Sequence, residues 1–143
     1  MILESNSPKE TQKIASDLAK KIIKTKKGAV IALEGELGAG KTTFIQGFAK
    51  ALGINSKVKS PTFVLMKKYK VSNQTDLYHL DCYRIGDYKD LRIPELKEIF
   101  EISHDIVLIE WAERIKKVIP KKHIKIHIDH IDKNTRKLLI TNF

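Results

Sequence analysis

The eight residues Gly35-Glu36-Leu37-Gly38-Ala39-Gly40-Lys41-Thr42 satisfy the pattern G-x-x-x-x-G-K-[ST] without a substitution. Glycine at 35, 38 and 40 permits close backbone approach, so consecutive N–H groups can converge on an anion. A helix starting near Lys41 adds its positive dipole end to the same point. Lys41 can place an ammonium on the β- and γ-phosphates of a nucleotide, and the Thr42 hydroxyl is a hard oxygen ligand for Mg2+. Thr43 can hydrogen-bond the α-phosphate. The expected nucleotide cradle is therefore Gly38, Ala39, Gly40, Lys41, Thr42 and Thr43.

Such a cradle needs a carboxylate on its magnesium side. Glu110 is the leading candidate, because it ends the apolar run Ile106-Val107-Leu108-Ile109, and ligand-binding residues of open α/β sheets collect at strand ends. It would hold Mg2+ directly or through water, opposite Thr42. Asp81 is the second candidate. Strand alternation puts His79, Asp81 and Tyr83 on one face and Leu80, Cys82 and Arg84 on the other. Aspartate is disfavoured inside a strand, which points to a role in orienting an attacking water or in the metal shell. The structural alternative is a hydrogen bond to His79 or to a nearby backbone amide. Ser60-Pro61-Thr62-Phe63 offers a threonine where nucleotide switches often contact the γ-phosphate. His123 and His127 point away from the His130 face of their strand, which argues against a zinc site. Trp111 is assigned no chemistry.

The elements that must position these residues are legible in outline. Ser7-Pro8-Lys9-Glu10 is a capping box with proline at the first helical position. The helix it opens carries Ile14, Leu18 and Ile22 on one stripe, and Gly28 is expected to close it. Ala29 to Leu33 reads as a buried strand leading into the glycine loop. The following helix repeats Phe44, Phe48, Ala49 and Leu52 until Gly53. Residues 57–62 read as an extended loop. Phe63–Val71 and Asp76–Tyr83 read as strands around a turn at 72–74. The stretch 83–93 looks irregular, and a short helix from Pro94 carries Leu96, Ile99 and Phe100. Residues 106–109 form a strand and 112–118 a helix stopping before Pro120. Residues 123–131 and 138–141 form two last strands. The sum is a single α/β domain over 1–143, a buried sheet with helices on both faces.

Composition sets the outer bounds. A chain of 143 residues with 42% hydrophobic content can bury a proper core without staples. The apolar runs are too short to span a bilayer, and residues 1–20 do not read as a secretory signal. The single cysteine, Cys82, excludes an internal disulfide and suits a reducing cytoplasm. The net charge of +10 reads mainly as solvated lysine faces, yet it should favour polyanions such as tRNA weakly and in a salt-dependent way.

Four segments together, GELGAGKTT at 35–43, SPTF at 60–63, HLDCYR at 79–84 and IEWAER at 109–114, resemble the TsaE family of bacterial tRNA threonylcarbamoyladenosine biosynthesis. Order, spacing and chain length agree over essentially the whole chain. Glu36 stands where the family commonly has aspartate, and the stretch between Arg84 and Ile106 matches poorly. The resemblance implies a P-loop NTPase-like fold with a mixed, mostly parallel sheet, and an ATPase, slow alone, that works with the partner proteins TsaB and TsaD, the latter transferring threonylcarbamoyl to adenosine 37 of tRNA. ATP hydrolysis would drive or reset that assembly. It implies that Thr42 and Glu110 bind Mg2+, that Lys41, Asp81 and Glu110 carry catalysis, and that Thr11 lies near the nucleotide. Arg84, Arg92 or a partner's arginine would supply charge to the γ-phosphate. ATP is expected over GTP, because no N/T-K-x-D-type guanine-reading segment is visible. The rival readings are a small-metabolite phosphotransferase and a nucleotide-gated binding module.

Overall fold

The computed structural model describes residues 1–36, 38–55, 66–83, 93–101 and 104–143. Its elements run β1 (Ile2–Ser5), α1 (Pro8–Thr25), β2 (Ala29–Glu34), α2 (Lys41–Ala51), β3 (Met66–Lys70), β4 (Asp76–Asp81), α3 (Ile93–Glu101), β5 (Ile106–Glu110), β6 (Ile124–His130) and β7 (Arg136–Thr141). The strands form one seven-stranded sheet in the order β1-β7-β6-β2-β5-β4-β3. The four central strands, β6, β2, β5 and β4, are parallel, and antiparallel pairs β6–β7, β7–β1 and β3–β4 finish the edges. This is the mixed α/β sheet that the resemblance implies, parallel in its centre.

Both faces of the sheet are covered, which explains why the central strands read as continuous apolar runs. On one face Ile31, Leu33, Leu77, Ile106, Leu108 and Ile126 pack against Leu18, Ile22, Phe44 and Phe48 of α1 and α2. On the other, Val107, Ile109, Tyr78 and Leu80 pack against Leu96 and Ile99 of α3 and Ala112 and Ile115. Helices α1 and α2 cross closely at Gly47, where a Cβ would come within 2.6 Å of the Gln12 Cα and carbonyl oxygen.

Helix α1 starts as its sequence dictates. Ser7 is extended, its hydroxyl accepts from the Glu10 N–H at 3.1 Å, and Pro8 follows. Its end differs from expectation. Lys26, at φ 57°, takes the left-handed cap and its N–H bonds the Ile23 carbonyl, so Gly28 does not close the helix. Gly28 serves a close approach instead, because a Cβ there would stand 2.2 Å from the Asp105 carbonyl oxygen. The expected helix over 112–118 contracts to a 3-10 turn at Ala112–Ile115. Trp111 precedes it at φ 56°, and the bonds Arg114 N–H to Trp111 O and Val118 N–H to Ile115 O span three residues. Strand β1 was not expected at all. It is four residues long and is held by antiparallel pairing with β7. The expected loop at 57–62, residues 63–65 of the expected third strand and the irregular stretch 84–92 lie outside the described residues.

Candidate functional site

The parallel register brings the chemistry together. Glu110 pairs with Leu33 on one side and with Asp81 on the other, so the ends of β2, β5 and β4 emerge side by side at the start of the glycine loop. The loop uses its glycines as expected: φ is +145° at Gly35, +81° at Gly38 and +105° at Gly40. Gly40 caps α2 with no side-chain hydrogen bond, so no side chain competes there for the first N–H groups of that helix. Between loop and strand ends lies a cleft of about 460 Å3, lined by Gly38, Gly40, Lys41, Thr42, Thr43, Asp81, Tyr83, Glu110, Trp111 and Arg136. A second cavity, of about 320 Å3, sits at the opposite end of the sheet between Gly28, Asp105, His123 and Phe143. It lacks the glycine loop and the facing carboxylates.

Lys41 is buried at the centre of this arrangement. Its Nζ donates to the Gly35 carbonyl and, at 3.4 Å, to that of Glu36, and it lies 3.6 Å from the centroid of the Trp111 ring. Burial pushes the ammonium below the usual lysine range, while the carboxylates of Glu113, Glu110 and Asp81 pull it back up. Asp81 shifts the other way. Burial raises its carboxyl and the charge of Glu110 adds to the rise, against a lowering bond from the Tyr83 N–H to Oδ1 at 3.0 Å. That bond is the backbone-amide alternative weighed for Asp81, and His79 is bonded elsewhere. Its Nε2 stands 2.8 Å from Glu110 Oε2, with both side chains buried. Glu113, in the turn after Trp111, is raised chiefly by burial and then by the charge of Glu34.

Gly38, Gly40, Lys41, Thr42, Thr43, Asp81 and Glu110 are thus brought to one cleft. Ala39 is in the loop, but its side chain is buried in the core. Thr11 is not among the residues lining the cleft. It is buried in the first turn of α1, 2.6 Å from the Ser5 hydroxyl. Ser60 to Phe63, Arg84 and Arg92 lie outside the described residues. The histidines in and just before β6 do not converge: His123 Nδ1 bonds the Pro120 carbonyl, and His127 lies between Glu34 and Asp129. Among the described residues no three metal-ligating side chains cluster.

Two residues escaped sequence reasoning. Arg136 starts β7, where the hairpin returns it to the loop, and a Cβ on Gly40 would lie 3.6 Å from its Nε. One guanidinium nitrogen donates to the carbonyls of Asp132 and Thr135. Only the β6–β7 pairing next to β2 reveals its place. Trp111 follows Glu110 directly, which was a usable signal, but its contact with Lys41 depends on a left-handed backbone that sequence does not announce. Its ring also meets that of Tyr83, with 5.0 Å between centroids.

The donor set suits Mg2+. A hydroxyl and carboxylates line the cleft, all hard oxygens, and that ion typically takes one or two carboxylates with water and phosphate completing its shell. Positive backbone φ angles and a cleft of this size likewise fit a nucleotide polyphosphate.

Comparison with known proteins gives the family. The family described as "Threonylcarbamoyl adenosine biosynthesis protein TsaE" matches residues 5–138. A protein of Bacillus subtilis named tRNA threonylcarbamoyladenosine biosynthesis protein TsaE is 39% identical over 136 residues, 94% of this chain and 81% of that one. Proteins of the same name from Nostoc and Aquifex aeolicus are 42% and 38% identical, over 81% and 98% of this chain and 72% and 93% of theirs. The crystal structure of YdiB from Bacillus subtilis superposes with a TM-score of 0.75 at 33% identity, covering 96% of this chain and 82% of that one. With the match spanning nearly its whole length, and with these relatives, the chain belongs to the TsaE family.

Proposed function

We propose that this protein is a Mg2+-dependent ATPase of tRNA N6-threonylcarbamoyladenosine biosynthesis that drives or resets a TsaB–TsaD assembly. One observation carries the catalytic part: the glycine loop, Lys41, Thr42, Asp81 and Glu110 converge on a single cleft. The pathway follows from the family and from the names of its members.

The residues divide the work. The N–H groups of 38–43 and the α2 dipole receive the phosphates. Lys41, whose charge is disfavoured by burial, is held protonated by the arriving polyanion. Thr42 and Glu110 would hold Mg2+, which when bound would neutralise phosphate charge. Asp81, raised by burial and by Glu110, is placed to orient the attacking water and accept its proton. Arg136 adds positive charge on the Gly40 side. Slow turnover alone fits a cleft that awaits a further cation or ordering by a partner.

The test is ATP hydrolysis with and without purified TsaB–TsaD, with GTP as the control nucleotide. Stimulation by the partners and preference for ATP are expected. A phosphorylated small-molecule product would install the phosphotransferase reading instead, and unstimulated hydrolysis would favour the nucleotide-gated binding module.

A further inference from the structure

We propose that His79 is a positioning residue that sets the orientation of the Glu110 carboxylate toward the phosphate loop; this rests on the cleft's being a Mg2+–nucleotide site. His79 lies in the middle of β4, 1% exposed, where its strand neighbours are apolar. Its register partner is Leu108, two residues before Glu110, so the ring reaches diagonally along one sheet face to meet Glu110 Oε2 at 2.8 Å. With a carboxylate accepting, Nε2 carries the proton and donates. Among the described residues the other ring nitrogen, Nδ1, is buried with no hydrogen-bond partner.

That orphaned nitrogen is the telling feature. A buried polar atom without a partner costs stability, and a leucine or phenylalanine at this position would avoid the cost. The imidazole is kept between Tyr78 and Leu80 in the buried middle of the strand, and the bond it makes is to the carboxylate that lines the cleft. A carboxylate's terminal torsion is broad, and Lys41 attracts Glu110 from across the site. The donor on Oε2 restrains Glu110 from turning onto Lys41. Such outer partners of metal-binding side chains typically change metal affinity 10- to 100-fold when removed.

The test uses full-length His79→Gln, His79→Asn and His79→Leu. A glutamine amide reaches the place of Nε2, whereas the shorter asparagine reaches only that of Nδ1. Binding of a non-hydrolysable ATP analogue is measured by calorimetry in EDTA and across a Mg2+ series, with ATP hydrolysis over the same series. Expected is unchanged binding in EDTA for all three. The Mg2+ concentration for half-maximal binding and turnover should rise roughly 10-fold or more in the Asn and Leu proteins, and less than about 3-fold in the Gln protein. Wild-type Mg2+ dependence in the Asn and Leu proteins, or equal behaviour of Gln and Asn, overturns the inference. So does an equal loss of binding in EDTA, which marks a purely structural residue. If the Leu protein does not fold, the Gln–Asn comparison decides alone. Wild-type protein with no Mg2+-dependent nucleotide binding overturns the functional reading itself, and is thereby told apart from failure of His79 alone.

Discussion

Asp81→Asn should make the nucleotide-free protein more stable at neutral pH while removing its activity. In the folded chain the Asp81 carboxyl is pushed above its ordinary 3.8, first by burial and then by the charge of Glu110. A carboxylate whose folded pKa is raised binds protons more readily folded than unfolded. Its ionisation therefore opposes folding above the folded pKa, and the penalty vanishes as pH falls below the unfolded value of about 3.8. Asparagine keeps an oxygen to accept the Tyr83 N–H, so the local turn survives while the charge goes. Relief of a half-buried carboxylate facing another negative charge is worth on the order of 1 kcal/mol. With an unfolding entropy near 2.1 cal/mol/K per residue, a chain of 143 residues loses about 0.3 kcal/mol per degree, so Tm should rise by about 3 °C. The assay is thermal unfolding in EDTA without nucleotide, from pH 7.5 to pH 3.5, beside ATP hydrolysis with TsaB–TsaD. The stability gain should be largest at neutral pH and shrink to nothing on acidification. An Asp81→Asn protein that is no more stable at pH 7, or whose advantage grows as pH falls, would refute this account of Asp81.

Further outcomes follow from particular contacts. Glu110→Ala should abolish complex-dependent activity and the Mg2+ dependence of nucleotide binding, both read by the calorimetric and hydrolysis series above. Arg136→Ala should weaken binding of the ATP analogue roughly 10-fold and flatten its salt dependence, since it removes a cation beside Gly40. Gly47→Ala gains about 1 kcal/mol of helix propensity but drives a methyl into the Gln12 backbone, an overpacking cost of about 1–3 kcal/mol. A net Tm loss of a few degrees is expected, and an unchanged Tm would mean that the α1–α2 crossing yields freely. Cys82 is buried and its thiol is pushed up to about 12, so iodoacetamide should label it only after denaturant is added.

Much of this protein was legible in local sequence because the physics involved is local. Ser7, Pro8 and Glu10 specify the start of α1 through bonds within one turn, and the glycines of 35–40 specify a backbone that other residues rarely adopt. The apolar runs at 29–33 and 106–109 announced strands buried on both faces, and their ends foretold where Lys41 and Glu110 would stand. What required the tertiary structure are the choices made by long-range pairing and by positive φ at residues that are not glycine. Lys26 rather than Gly28 caps α1, and Trp111 at φ 56° turns the chain back over Lys41. The pairing of β1 with β7 stabilises a four-residue strand too short to declare itself, and β7 beside β6 delivers Arg136 to the loop from 96 residues away along the chain from Gly40. The bond from His79 to Glu110 likewise exists only because β4 and β5 align in one register. Residue type and spacing determined which chemistry this chain could carry; the order and register of its strands decided which of those side chains meet.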